Sequence, residues 1–177
     1  AKCEVMCEDK TTSERGSVLV VGGAGYIGSH VSWYLKEHGY LPVVLDNLST
    51  GHKSAVKFGP FVQGDYADTT LVRQTLDKYS IHTVMHFGAK ALVGESVENP
   101  LIYYRSNVAS TIALLEAMVS ANVKNIVFSS TCATFGEPSE VPIHELVEQK
   151  PVNPYGRTKL FVEEILKDCT IAHGIRH

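Results

Sequence analysis

Ser17-Val18-Leu19-Val20-Val21-Gly22-Gly23-Ala24-Gly25-Tyr26-Ile27-Gly28-Ser29-His30 is an apolar run that enters a glycine-rich turn and leaves it as a helical pattern, with no spacer. A strand, a turn and a helix start joined in this way expose backbone N–H groups and the positive end of a helix dipole, which suits a pyrophosphate. In such a junction Gly22 makes the turn, Gly25 lets phosphates approach the backbone, and Gly28 lets the helix pack on the strand. The plain alternative is a loop glycine cluster, since the chain has 14 glycines. A second signal weighs against it. The next strand, Pro42 to Leu45, runs into Asp46, about twenty residues beyond the turn, where a carboxylate accepts from an adenosine ribose 2′-hydroxyl. A carboxylate there repels a 2′-phosphate, so NAD is expected rather than NADP. Asp46 also fits a plain turn-capping role in Asp46-Asn47-Leu48-Ser49-Thr50-Gly51.

With 177 residues, 44% hydrophobic and 20% charged, the chain suits one globular domain with a sizeable core. Residues 1–16 are polar and aperiodic and read as a flexible leader or appended remnant, leaving 17–177 as the domain. The net charge of -3, with Lys and Arg scattered, carries no footprint for nucleic acid or an acidic membrane. No apolar stretch approaches the roughly 20 residues of a membrane span, and no secretory signal is visible, so a cytoplasmic location is expected. Cys3, Cys7, Cys132 and Cys169 read as reduced thiols, and no Cys or His grouping completes a metal site.

Strand-like and helix-like segments alternate from Ser17 onward: strands at Ser17 to Val21, Pro42 to Asp46, Phe61 to Gln63, Thr83 to Phe87 and Asn125 to Ser129. Helices are expected at Tyr26 to His38, Thr69 to Tyr79, Leu101 to Ala121 and Tyr155 to Ala172. This alternation predicts an α/β fold, a Rossmann-type doubly wound parallel sheet of order 3-2-1-4-5. Its ligand crevice belongs at the carboxyl ends of strands one and four, where the winding reverses. The longest irregular stretch, Thr131 to Asn153, is of the kind that usually serves function.

Tyr155 and Lys159 are four residues apart at a helix start, so both side chains share one face. An ammonium beside a phenol favours the phenolate, which makes Tyr155 a candidate base for a substrate hydroxyl as hydride leaves the same carbon. The Thr131 hydroxyl, at the serine-rich end of the fifth strand, is placed to hold the same oxygen. The plain alternative is two residues on a helix surface.

These blocks resemble the extended short-chain dehydrogenase/reductases, and within them the UDP-sugar 4-epimerases, from about Val18 to Ile175. The likeness is carried by the glycine turn, by Asp46 to Gly51, Gly64-Asp65, His86-Phe87, Val93-Gly94-Glu95-Ser96, Tyr103-Tyr104 with Asn107-Val108, Phe128 to Thr134, and Asn153-Pro154-Tyr155-Gly156-Arg157-Thr158-Lys159. The resemblance implies that Gly22, Gly25, Tyr26, Ile27, Gly28, Asp46, Asn47, Leu48, Ser49, Thr50, Gly51, Asp65, Tyr66, Phe87, Gly88, Ala89, Lys90, Asn107, Ser129, Tyr155 and Lys159 serve NAD. It places Thr131 and Tyr155 at the sugar, with Tyr155, Lys159 and Thr131 catalytic. The implied reaction is NAD-dependent 4-epimerisation of a UDP-sugar such as UDP-glucose or UDP-galactose through a transient 4-keto sugar. It also implies a homodimer built on the two long helices.

Lys90 stands one position earlier than the lysine common in that family, so its phosphate contact is an open point. Cys132-Ala133 stands where a sugar-nucleotide dehydratase needs an acid and a base, which disfavours water elimination. Neither a counterpart of the family's small substrate domain nor a sixth strand is expected within the 177 residues, which run to Gly174-Ile175-Arg176-His177. The alternatives are a non-catalytic NAD-binding module, or an epimerase for another UDP-sugar such as UDP-xylose or UDP-arabinose.

Overall fold

The computed structural model describes residues 15–138 and 140–177; the expected leader, Cys3 and Cys7 fall outside them apart from Arg15 and Gly16. Strands β1 (Ser17–Val21), β2 (Leu41–Asp46), β3 (Phe61–Gln63), β4 (Ile81–His86) and β5 (Asn125–Phe128) form one sheet in the order β3-β2-β1-β4-β5. Every pairing is parallel. Val43 and Val44 are fully buried, as are Leu19, Val20 and Val21, because central strands of a parallel sheet are covered on both faces. The register places Val21 opposite Leu45 and His86, and His86 opposite Phe128. The residues next along the chain from these paired positions, Gly22, Asp46, Phe87 and Ser129, therefore emerge along one edge.

Of the helices α1 (Tyr26–Glu37), α2 (Thr69–Lys78), α3 (Val93–Glu98), α4 (Pro100–Tyr103), α5 (Ser110–Ser120) and α6 (Pro154–His173), α1, α2, α5 and α6 cover the sheet, and α3 and α4 pack against α6. Val72 and Leu76 of α2, Leu114, Leu115 and Met118 of α5, and Val162 and Leu166 of α6 join Leu19, Val21, Val43, Leu45, Val84 and Ile126 in one core. Strand alternation sends Val18, Val20 and Val44 to the other face, and α1 packs beside β1 and β2. Asp68 caps α2 by accepting from Leu71 N–H at 3.0 Å, and Asn153 caps α6 by accepting from Gly156 N–H at 2.8 Å. Pro154 takes the first turn of α6, one residue before the expected start, and Gly174 ends the helix at φ 67°.

The single helix expected over Leu101 to Ala121 is interrupted: Tyr104–Ala109 widens into a π turn between α4 and α5. Side chains from the start of α5 bond back to carbonyls of that turn, Thr111 Oγ1 donating to Asn107 carbonyl at 2.7 Å and Ser110 Oγ to Arg105 carbonyl at 3.2 Å. Helix α3 has no sequence signature: it is short, contains Gly94 and leaves Val93 and Val97 exposed, so no burial period marks it. The described residues form no sixth strand, and beyond β5 there is one isolated bridge. Arg176 forms a parallel bridge with Asn125 on the outer edge of β5, its N–H donating to Lys124 carbonyl at 2.7 Å. No described helix is long and apolar enough to cross a membrane.

Candidate functional site

Gly22 sits at φ 76°, and a Cβ there would lie 2.6 Å from the Gly88 nitrogen, so both conformation and space demand glycine. The same residue joins strand ends: its N–H donates to Leu45 carbonyl at 2.9 Å. A Cβ at Gly28 would lie 2.4 Å from Gly22 carbonyl oxygen, which seats α1 directly on the turn. Gly25 is the N-cap of α1, with no side chain capping the helix and no acidic residue in its first turn. Its first N–H groups therefore keep the capacity to meet an anion. Tyr26 and Ile27, the first two residues of α1, are 81% and 54% exposed.

A cleft of about 310 Å³ opens at these strand ends. Of the expected cofactor residues, Gly22, Gly25, Asp46, Asn47, Ser49, Thr50, Gly51, Asp65, Tyr66, Phe87, Gly88, Ala89 and Lys90 line it. Tyr26, Ile27, Gly28, Leu48, Asn107, Ser129, Tyr155 and Lys159 do not, whereas Leu45 and Ser106, which no sequence motif marks, do. Ser106 was findable only through its neighbour: its carbonyl accepts from Tyr66 Oη at 2.5 Å. A larger hollow of about 620 Å³ lies between α1 and residues 52–58, and none of the expected site residues lines it.

Asp46 has a double duty. Its Oδ2 accepts from Ala24 N–H at 2.9 Å and its Oδ1 from Leu48 N–H at 2.8 Å. Each carboxylate oxygen retains a further lone pair, so the group can still accept a hydroxyl. Asn47 Nδ2 donates to Asp65 Oδ2 at 2.9 Å, bracing the two loops of the cleft. Asn107 is buried, and its side chain is used on protein: Nδ2 donates to Lys90 carbonyl and Thr158 Oγ1, and Oδ1 accepts from Lys90 N–H at 2.8 Å. The Lys90 main chain is thus fixed at the cleft while its ammonium lies 3.6 Å from Glu95 Oε1. Glu95 in turn accepts from Tyr103 Oη at 2.6 Å, a bond that holds its carboxyl below the usual range.

Lys159 is 3% exposed, and its ammonium donates to Ser129 carbonyl at 2.9 Å beneath the Phe128 ring, 4.6 Å from the centroid. Burial lowers its pKa to about 8. Tyr155 is half-buried one turn earlier, and its N–H donates to Ser96 Oγ of α3 at 3.2 Å. Thr131 caps the 3-10 turn Cys132–Phe135, its Oγ1 accepting from Ala133 N–H at 3.2 Å, which leaves its own hydroxyl proton to give. His86, buried behind this group, sits edge-on to Tyr66 with ring centroids 4.9 Å apart. Because the Thr111 proton goes to Asn107, His86 Nε2 is the donor in its 2.9 Å bond to Thr111 Oγ1. Its Nδ1 has no partner, and burial lowers the ring's pKa to about 3. The described residues contain no cluster of metal-ligating side chains.

Residues 18–177 match the model of the NAD dependent epimerase/dehydratase family. The UDP-glucose 4-epimerase of Rhizobium meliloti strain 1021 is 47% identical over 163 residues, 92% of this chain and 50% of that one. The structure of UDP-glucose 4-epimerase from Brucella ovis in complex with NAD is similar at a TM-score of 0.90, with 54% identity over 91% of this chain and 50% of that one. That of Bifidobacterium longum UDP-glucose 4-epimerase in complex with NAD+ and UDP has a TM-score of 0.84 and 38% identity over 88% and 49%. The chain spans about half the length of the relatives it matches.

Proposed function

Because the chain belongs to the NAD dependent epimerase/dehydratase family, we propose that it is the NAD-binding part of a UDP-sugar 4-epimerase, with residues 17–177 as the NAD-binding domain. The observation that carries this is the glycine turn and uncapped helix start opening into the same strand-end cleft as Asp46. The residues suit the dinucleotide. The α1 N–H groups and Gly25 would face its pyrophosphate, Asp46 the adenosine ribose, Asn47 to Gly51 with Asp65 and Tyr66 the adenine end, and Phe87 to Lys90 the middle of the molecule. Bound NAD supplies a hydride acceptor that returns the hydride, so the reaction has no net oxidation.

The chain's own residues handle the proton. Tyr155 takes it from the sugar 4-hydroxyl and gives it back after the 4-keto sugar has turned over. The Lys159 ammonium stabilises the phenolate in a buried setting where charge acts strongly, and the Thr131 hydroxyl donates to the same sugar oxygen. UDP-glucose and UDP-galactose are the proposed substrates. A partner copy is proposed on the apolar groove of about 450 Å³ between α5 and α6, lined by Ile112, Leu115, Val119, Ile165 and Cys169.

The half-length match favours a second reading, an NAD-binding module without turnover. One experiment separates the two. The purified chain is denatured and released NAD is measured, and fresh protein is incubated with UDP-galactose and assayed for UDP-glucose. NAD with conversion supports the epimerase, NAD without conversion selects the module, and absence of NAD from a folded chain refutes both.

A further inference from the structure

Tyr155, Lys159 and Glu163 follow one another at four-residue steps along α6, so they stack on one helix face. Lys159 and Glu163 both bond to the exit of β5. Lys159 holds the Ser129 carbonyl at 2.9 Å, and one residue further Ser130 Oγ donates to Glu163 Oε1. The other carboxylate oxygen, Oε2, accepts from Gln149 Nε2 at 2.8 Å. The same Gln149 amide donates to Thr134 Oγ1 at 3.1 Å, and Thr134 Oγ1 donates to Thr131 carbonyl at 2.9 Å. These bonds close a ring: Glu163, Ser130, the Ser130–Thr131 link, Thr134, Gln149 and back to Glu163. Thr131 is clamped from the Ser130 side and at its own carbonyl, and both clamps end on one carboxylate of α6.

We propose that Glu163 is a positioning residue that registers the Thr131 end of β5 against the Tyr155–Lys159 face of α6, and that Gln149 extends the same constraint to the loop 136–153. Geometry is the reason. Tyr155 and Thr131 come from different elements, and their hydroxyls can meet one substrate oxygen only if strand end and helix keep a fixed offset. Lys159 sets one point of that offset, and one hydrogen bond leaves a pivot. The Glu163 ring adds the second and third points and removes it. A carboxylate suits the task because it offers acceptor capacity on two oxygens, to a hydroxyl on one side and an amide on the other. Glutamine in its place has one carbonyl oxygen and presents an NH2 where Ser130 or Gln149 donates.

The catalytic consequence rests on the reading of Thr131 and Tyr155 given above, so the test has a readout independent of turnover. Amide hydrogen exchange is followed in the wild-type chain and in Glu163→Ala, Glu163→Gln and Gln149→Ala. The Ala133 and Thr134 amides, which donate to Thr131 Oγ1 and carbonyl, are the probes, and the Ser29 and Val72 amides in α1 and α2 are the reference. Glu163→Ala, which removes both charge-assisted bonds, is expected to speed exchange at the probes at least about tenfold. The reference amides stay unchanged. Gln149→Ala gives a smaller effect at the same amides, and Glu163→Gln lies between Glu163→Ala and wild type. Equal acceleration at probes and reference would show a merely stabilising residue and overturn the proposal, as would no acceleration at the probes. In parallel, reduction of bound NAD by UDP-glucose is followed by absorbance. The Glu163→Ala rate should fall with NAD affinity unchanged, and a rate equal to wild type overturns the catalytic consequence. If wild type itself shows no reduction, the epimerase reading fails alone and the exchange result still decides the role of Glu163.

Discussion

The Asp46 carboxylate is bound to the Ala24 N–H, 22 residues earlier, at 2.9 Å, so one side chain both shapes the glycine turn and faces the cleft. Asp46→Asn is expected to weaken NAD binding and to narrow the preference over NADP, because the charge that repels a 2′-phosphate is gone. An asparagine also has a single side-chain acceptor oxygen for the Ala24 and Leu48 N–H groups, so the turn loosens by about 1 kcal/mol. Dissociation constants for NAD and NADP, with thermal unfolding of both proteins, check this. Unchanged discrimination would remove Asp46 from the ribose.

Tyr155→Phe keeps the ring and its place on α6 while deleting the hydroxyl. NAD retention should match wild type, and any conversion of UDP-galactose should fall by a factor of about 100 or more. Conversion near the wild-type rate would assign the base elsewhere.

Gly28→Ala puts a methyl 2.4 Å from a backbone oxygen that cannot step aside. The expected cost is about 2 kcal/mol or more, with loss of cofactor binding. Gly94→Ala is the matched control, since nothing lies within 4 Å of its added Cβ. There the better helix former should leave stability equal or up to about 1 kcal/mol higher. Thermal unfolding of the two variants decides the comparison.

Burial holds Lys159 at about 8 in the folded chain against 10.5 when exposed. Between those values the unfolded chain binds the extra proton, so this group makes stability rise with pH, by roughly 3 kcal/mol across the window. Below about pH 8 its penalty is constant. Denaturant unfolding of wild type and Lys159→Met between about pH 7 and 10 isolates the effect: wild type should gain on the variant as pH rises. A constant difference would mean that Lys159 titrates alike folded and unfolded.

Ile112 is 40% exposed at the groove between α5 and α6. If this groove takes a second copy, Ile112→Glu should convert a dimer to a monomer in light scattering without altering NAD binding. A wild-type chain that is monomeric at all concentrations would dismiss the dimer.

Much of the fold was legible because its signals are local. The apolar runs of β1 and β2, the glycine turn, Asn153-Pro154 at the start of α6 and the Tyr155–Lys159 spacing each lie within a few residues. Alternation of such segments, with the handedness of parallel crossovers, was enough for the order β3-β2-β1-β4-β5. The π turn around Asn107 was not legible, since a widened turn keeps the helical hydrophobic pattern and is set by what Asn107 bonds across the fold.

Sequence by itself determined the parallel sheet, the glycine turn at the strand end and the helix face that carries Tyr155 and Lys159, because backbone geometry and side-chain period follow from neighbours along the chain. Tertiary structure alone decided which groups those residues meet. Examples are the Ser96 hydroxyl under the Tyr155 N–H, 59 residues away, the Ser129 carbonyl that takes the Lys159 ammonium, and the Arg176 bridge on β5. The reason is physical: such contacts join residues with no periodic relation, and their geometry exists only once helices and sheet have packed.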